Sequence, residues 1–110
     1  MKKKIYIAGK VTGEPIAECT MKFGNAQKQL TDLGFEAVNP LEVVGDFKAP
    51  WKEAMRKCIE ALIYCDGVLL LPDCLESRGA MIERGLAQSM GIPTFYEINR
   101  FTELWKEPTP

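Results

Sequence analysis

The stretch DGVLLLPDCLESRGAMIERGLA, Asp66 to Ala87, decides how this chain folds. Its opening residues form the most hydrophobic run in the sequence, too short to span anything and without polar alternation. Such a run suits a central parallel strand covered on both faces. At Pro72 it empties into polar turn residues. After Gly79 a helical pattern begins, with Ala80, Leu86, Ala87 and Met90 on its buried face and Gly91 as its stop. A buried strand followed by a turn and a helix is the opening of a β-α-β unit, and IPTFYEI, Ile92 to Ile98, supplies the strand that completes it.

Upstream the same alternation repeats. Pro50 opens a helix carrying Trp51, Met55, Cys58, Ile59 and Leu62 on one side. Before it lie a loop through EVVGDFKAP and a strand FEAVNP, Phe35 to Pro40, cut off by its proline. Farther back, Phe23, Ala26, Leu30 and Leu33 recur at steps of three and four after Ile16, and Gly34 ends that helix. The chain begins with KIYIAG, Lys4 to Gly9, a β-rich run leading into a glycine-bearing loop from Lys10 to Pro15. After the last strand come an aromatic segment, Phe101 to Trp105, and a proline-rich end. The pattern predicts one small doubly wound α/β domain over residues 1–110, with helices on both faces of a four- to five-stranded parallel sheet. The expected strand order is 2-1-3-4, with a tail over about 106–110.

Composition narrows the chemistry. With 110 residues, 46% hydrophobic and 26% charged, the chain has the makeup of one globular domain. A net charge of -1 argues against a duplex nucleic-acid surface, which needs a basic excess. MKKK is followed at once by a strand rather than a long apolar run, so neither a signal peptide nor a membrane span is expected, and the expected location is the cytoplasm. The four cysteines show no C-x-x-C spacing and read as reduced thiols. Histidine is absent, which removes Ser-His-Asp and Cys-His catalysis, His-ligated zinc and imidazole as a general base. Proton transfer falls to carboxylates, Lys, Tyr, Cys or water.

Ligands of open α/β sheets bind beyond the carboxyl ends of the strands. Three polar segments should therefore meet: GKVTG (9–13), the Asn39–Pro40 pair, and PDCLESRG (72–79). The first loop offers backbone N–H groups to an anion, with Lys10 and Thr12 as side-chain donors, though a plain tight turn meets the same pattern. Glu83 lies about one turn inside its helix, where the positive end of the dipole is expected to keep it ionised. A carboxylate in such a crevice can act as a nucleophile or stabilise a cation. On spacing alone, an exposed glutamate that merely improves the helix start is the better reading. Trp51 and Trp105 read as packing or dimer-contact residues, and Arg78 as either a phosphate contact or a solvated side chain.

IYIAGKVTG, the Asn39–Pro40 pair and CDGVLLLPDCLESRGAMIERGLAQSMGIP together resemble the nucleoside 2-deoxyribosyltransferase-like superfamily, which includes the deoxyribonucleoside 5'-monophosphate N-glycosidases. Within it they are most similar to the domain of unknown function 4406. The most specific element is S-x-G-x-x-x-E, met by Ser77, Gly79 and Glu83. The resemblance implies cleavage or transfer at the N-glycosidic bond of a 2'-deoxynucleoside or its 5'-monophosphate, with Glu83 as the nucleophile that forms a covalent glycosyl intermediate. It places Tyr6 against the reacting sugar and carboxylate. Gly9, Lys10, Thr12, Asn39, Ser77 and Gly79 fall at substrate- or phosphate-binding positions. It implies no metal and no organic cofactor, a small nucleoside or nucleotide as ligand, and a homodimer or higher homo-oligomer. The sequence departs from the family at one place: Cys58 stands where an aspartate assists the departing base. Asp46, Asp73 and Cys58 itself are the candidates for that acid, neither aspartate being placed by the sequence, and a nucleotide-binding module with weak or no turnover is the alternative.

Overall fold

The computed structural model describes residues 1–106; most of the tail expected over about 106–110 lies outside the described residues. Four strands and five helices follow in the order β1 Lys4–Ala8, α1 Ile16–Asp32, β2 Glu36–Val38, α2 Pro40–Val44, α3 Trp51–Leu62, β3 Gly67–Leu70, α4 Arg78–Ser89, β4 Thr94–Phe95 and α5 Ile98–Leu104. A short 3₁₀ turn, Cys74–Glu76, sits between β3 and α4. All pairings are parallel and the order is β2-β1-β3-β4. The fold is the doubly wound α/β arrangement read from the sequence, with four strands.

Strand alternation divides the core into two layers. Ile5 and Ile7 of β1, with Leu69 and Leu71 in and after β3, face Cys19, Phe23, Ala26 and Leu30 of α1 and Phe101 of α5. Tyr6, Ala8, Val68 and Leu70 face the other way, against Cys58 and Leu62 of α3 and Ala80 and Ala87 of α4. β3 is buried at every residue, as a run without alternation requires. Tyr6 therefore points toward α3 and α4. That direction decides the site.

Several boundaries differ from the sequence reading. The loop expected after Pro40 contains α2, with Pro40 in its first turn, the Asn39 side chain accepting from the Leu41 N–H at 2.9 Å, and Gly45 closing it at φ 71°. Five residues are too few to show a helical period. Leu33 caps α1 and is half exposed instead of continuing its apolar stripe, because the chain leaves the helix at Gly34 with φ 90°. Met90 likewise caps α4 and is exposed. The last strand stops at Phe95, where its register with Leu69 ends, and Ile98 opens α5. Phe101 of that helix is fully buried, stacked on Trp105 at 5.6 Å and edge-on to Phe95 at 5.0 Å. No helix of the described residues is long and apolar enough to cross a membrane. All four cysteines are buried free thiols.

Candidate functional site

Beyond the carboxyl ends of β1, β2 and β3, a cavity of about 430 Å³ opens between the β1–α1 loop, α2 and its following loop, α3 and the start of α4. Its size is that of a small-molecule site. Tyr6, Gly9, Thr12, Asp46, Cys58, Ser77, Gly79 and Glu83 all line it, bringing together eight of the eleven residues singled out from the sequence.

Glu83 lies at its inner wall, only 5% exposed. The Tyr6 hydroxyl donates to Oε2 of Glu83 at 2.5 Å across 77 residues of chain. One carboxylate oxygen is thus fixed and Oε1 has no hydrogen-bond donor among the described residues. Burial pushes the Glu83 carboxyl up to about 7, against a smaller downward pull from the Tyr6 hydrogen bond. The expectation that the helix dipole keeps it ionised is corrected. Glu83 is the sixth residue of α4, beyond the first turn where the dipole acts, and desolvation wins. Tyr6 is raised well above its ordinary value by burial and then by Glu83. Cys58 is raised to about 11, chiefly by burial, so a neutral thiol stands beside Tyr6 and Glu83.

The helix that carries Glu83 is set by its first residues. Ser77 is extended and its hydroxyl accepts from the Ala80 N–H at 3.1 Å, an N-cap bond. Gly79 lies where a Cβ would come within 3.0 Å of the Met55 sulfur, so the missing side chain lets α4 close on α3. Arg78 is exposed, with its guanidinium 4.8 Å over the Trp51 ring. Trp51, read from the sequence as a packing residue, lines the cavity and is 36% exposed.

Three of the eleven residues turn elsewhere. Asn39 is buried, donates to the Gln27 side chain at 3.1 Å and caps α2. Lys10 contributes its backbone, whose N–H donates to Asp73 Oδ1 at 3.0 Å, and its side chain is not on the cavity wall. Asp73 is held by Lys22 Nζ at 2.6 Å. Partial burial works to raise its carboxyl, but the hydrogen bonds from Lys22 and the Lys10 backbone outweigh this and hold it below the ordinary range. It is ion-paired away from the cavity and so is not placed as an acid there.

Sequence reasoning missed Phe47, an aromatic wall residue 48% exposed in the loop after Gly45, and Lys22, which also donates to the Lys10 carbonyl at 2.7 Å and pairs with Glu14 at 3.2 Å. An isolated aromatic between a glycine and a proline is the signal for the first. Lys22 gave none, because a lysine on a polar helix face resembles its neighbours. Among the described residues, no group of three or more His, Cys, Asp or Glu side chains is placed to hold a metal ion.

No curated protein matches the chain. The family model for a domain of unknown function, DUF4406, matches residues 3–96, which includes every residue of the cavity wall named above, and the chain belongs to that family.

Proposed function

We propose that the protein cleaves or transfers at the N-glycosidic bond of a 2'-deoxynucleoside or its 5'-monophosphate, with Glu83 as nucleophile. The observation that carries this reading is the buried Tyr6–Glu83 hydrogen bond at the wall of a nucleoside-sized cavity. A carboxylate fixed through one oxygen can direct the other at C1' of the sugar. The base leaves with the electron pair of the C1'–N bond and takes up a proton, and a glycosyl ester on Glu83 remains until water or a second base accepts the sugar. A carboxyl pushed up to about 7 supplies both forms near neutrality, and attack needs the ionised one.

Two carboxyls besides Glu83 line the cavity, Glu14 and Asp46. Glu14 is paired with Lys22, which leaves Asp46 as the acid for the departing base in this reading. Asp46 Oδ1 accepts from the Lys48 N–H at 2.8 Å in an exposed loop, free of an ion pair among the described residues. Homodimerisation belongs to the same reading, and exposed Ile82 and Met90 on or beside α4 supply apolar surface for it; sedimentation velocity tests it.

A second reading is favoured by Cys58. A thiol raised to about 11 is a poor proton donor to a leaving base, and a site lacking that acid can hold a nucleoside without turning it over. Incubating wild type and Glu83→Ala with deoxynucleosides and their 5'-monophosphates, and measuring free base, separates the two. Release that persists in Glu83→Ala overturns the nucleophile assignment. Binding by wild type without release selects the module.

A further inference from the structure

The cavity wall is unbalanced in charge. Among the described residues, three carboxyl groups line it, Glu14, Asp46 and Glu83, and no lysine or arginine does. Two nearby cations are not among the wall residues. Lys22 is shared between Asp73 at 2.6 Å and Glu14 at 3.2 Å, and Arg78 lies over the Trp51 ring. Lys10, the residue that the family resemblance offers for a phosphate, keeps its side chain off the wall. The Ser77 hydroxyl, offered for the same task, accepts from the Ala80 N–H and can supply a phosphate with a hydrogen bond but no charge. A phosphate entering here would leave water for a wall that carries no lysine or arginine to offset the loss of hydration, and the unpaired Asp46 carboxylate opposes it.

The remaining wall has the opposite character. Phe47 and Trp51 present half-exposed aromatic surface, and Val11, Leu41, Val44 and Met55 add apolar area. Aromatic surface of this kind takes a planar heterocycle whatever its hydrogen-bond pattern. The Arg78 guanidinium over the Trp51 ring holds that side chain in place.

We infer that the cavity selects an uncharged nucleoside over its 5'-monophosphate, with Phe47 and Trp51 receiving the planar base. This rests on the cavity being a nucleoside site, as proposed above, and adds which form of the ligand enters. Binding is measured by calorimetry on wild type and on Glu83→Gln, the latter to hold the ligand without turnover, using the four 2'-deoxynucleosides and their 5'-monophosphates.

At least one nucleoside should bind about tenfold or more tightly than its own monophosphate. That ratio should fall in Asp46→Asn, and Phe47→Ala should weaken the nucleoside about tenfold. A monophosphate that binds as tightly as its nucleoside, or binding of neither, overturns the inference. The two proposals fail separately. Nucleoside binding without base release from wild type leaves the selection standing and removes the glycosidic chemistry, whereas release preferentially from monophosphates does the reverse.

Discussion

At the scale of single residues, burial of the Glu83 carboxyl has a thermodynamic consequence. Its folded value of about 7 lies above the ordinary 4.5, so the folded state holds a proton that the unfolded chain releases between those values. The stability linked to that proton is fully present below about 4.5 and is lost as pH rises through about 7. The loss amounts to roughly 3 kcal/mol. Tyr6 and Cys58, which face the carboxyl, stay neutral throughout this window because both are shifted up. Denaturant unfolding of wild type between pH 5 and pH 8, compared with Glu83→Gln, should show this component only in wild type; parallel profiles would rule it out. Cys58→Asp restores the acid that the family resemblance expects and should raise base release by about 10²-fold or more if departure of the base limits turnover. No gain would place the limiting step elsewhere. The family resemblance carried by Ser77, Gly79 and Glu83, and not their spacing alone, singled out the carboxyl in the sequence. Its protonation was not legible there, because the burial that raises it is built by elements distant in sequence. Asn39, Lys10 and Asp73 were assigned to the right strand ends, but one-dimensional spacing does not say which way a side chain turns.

Among the elements, β3 and α5 depend on one small residue. A Cβ at Gly67 would lie 2.6 Å from Cε1 of Phe101 and 3.1 Å from Cη2 of Trp105, so the aromatic helix rests directly on the strand backbone. Gly67→Ala should cost about 1–3 kcal/mol by overpacking, read from the midpoint of chemical unfolding. An unchanged midpoint would mean that α5 shifts without penalty. On α4, Ser77→Ala removes the cap bond to Ala80 and should cost about 1 kcal/mol in the same measurement. Elements with long apolar periods, α1, α3 and α4, were legible, as was the uniformly buried β3. The short ones were not: α2 is specified by its Asn-Pro start and Gly45, and α5 by one buried ring against Gly67. Local pattern is weakest where a single tertiary contact decides.

Across the whole molecule, Lys22 ties α1 to two loops that end adjacent central strands. Its ammonium holds Asp73 after β3, the Lys10 carbonyl after β1 and Glu14 beside the cavity. Lys22→Met leaves two partly buried carboxylates without their cation and should cost about 1–2 kcal/mol at neutral pH. Because Asp73 is shifted down, this contribution is present above the ordinary carboxylate range and lost as pH falls through the lowered value, so wild type and variant should converge in acid. Equal stability at neutral pH would show the tie to be solvent-screened.

The central pair of the sheet also sets an order of events. The Lys4 N–H reaches the Asp66 carboxylate across 62 residues, and β1 pairs with β3 over the same span. Closing so long a loop is slow relative to forming a helix, so α1 and α3 can form and dissolve many times before the sheet locks. On the ribosome β1 must wait for β3 to emerge, and the cavity beyond their carboxyl ends is among the last features of the molecule to exist.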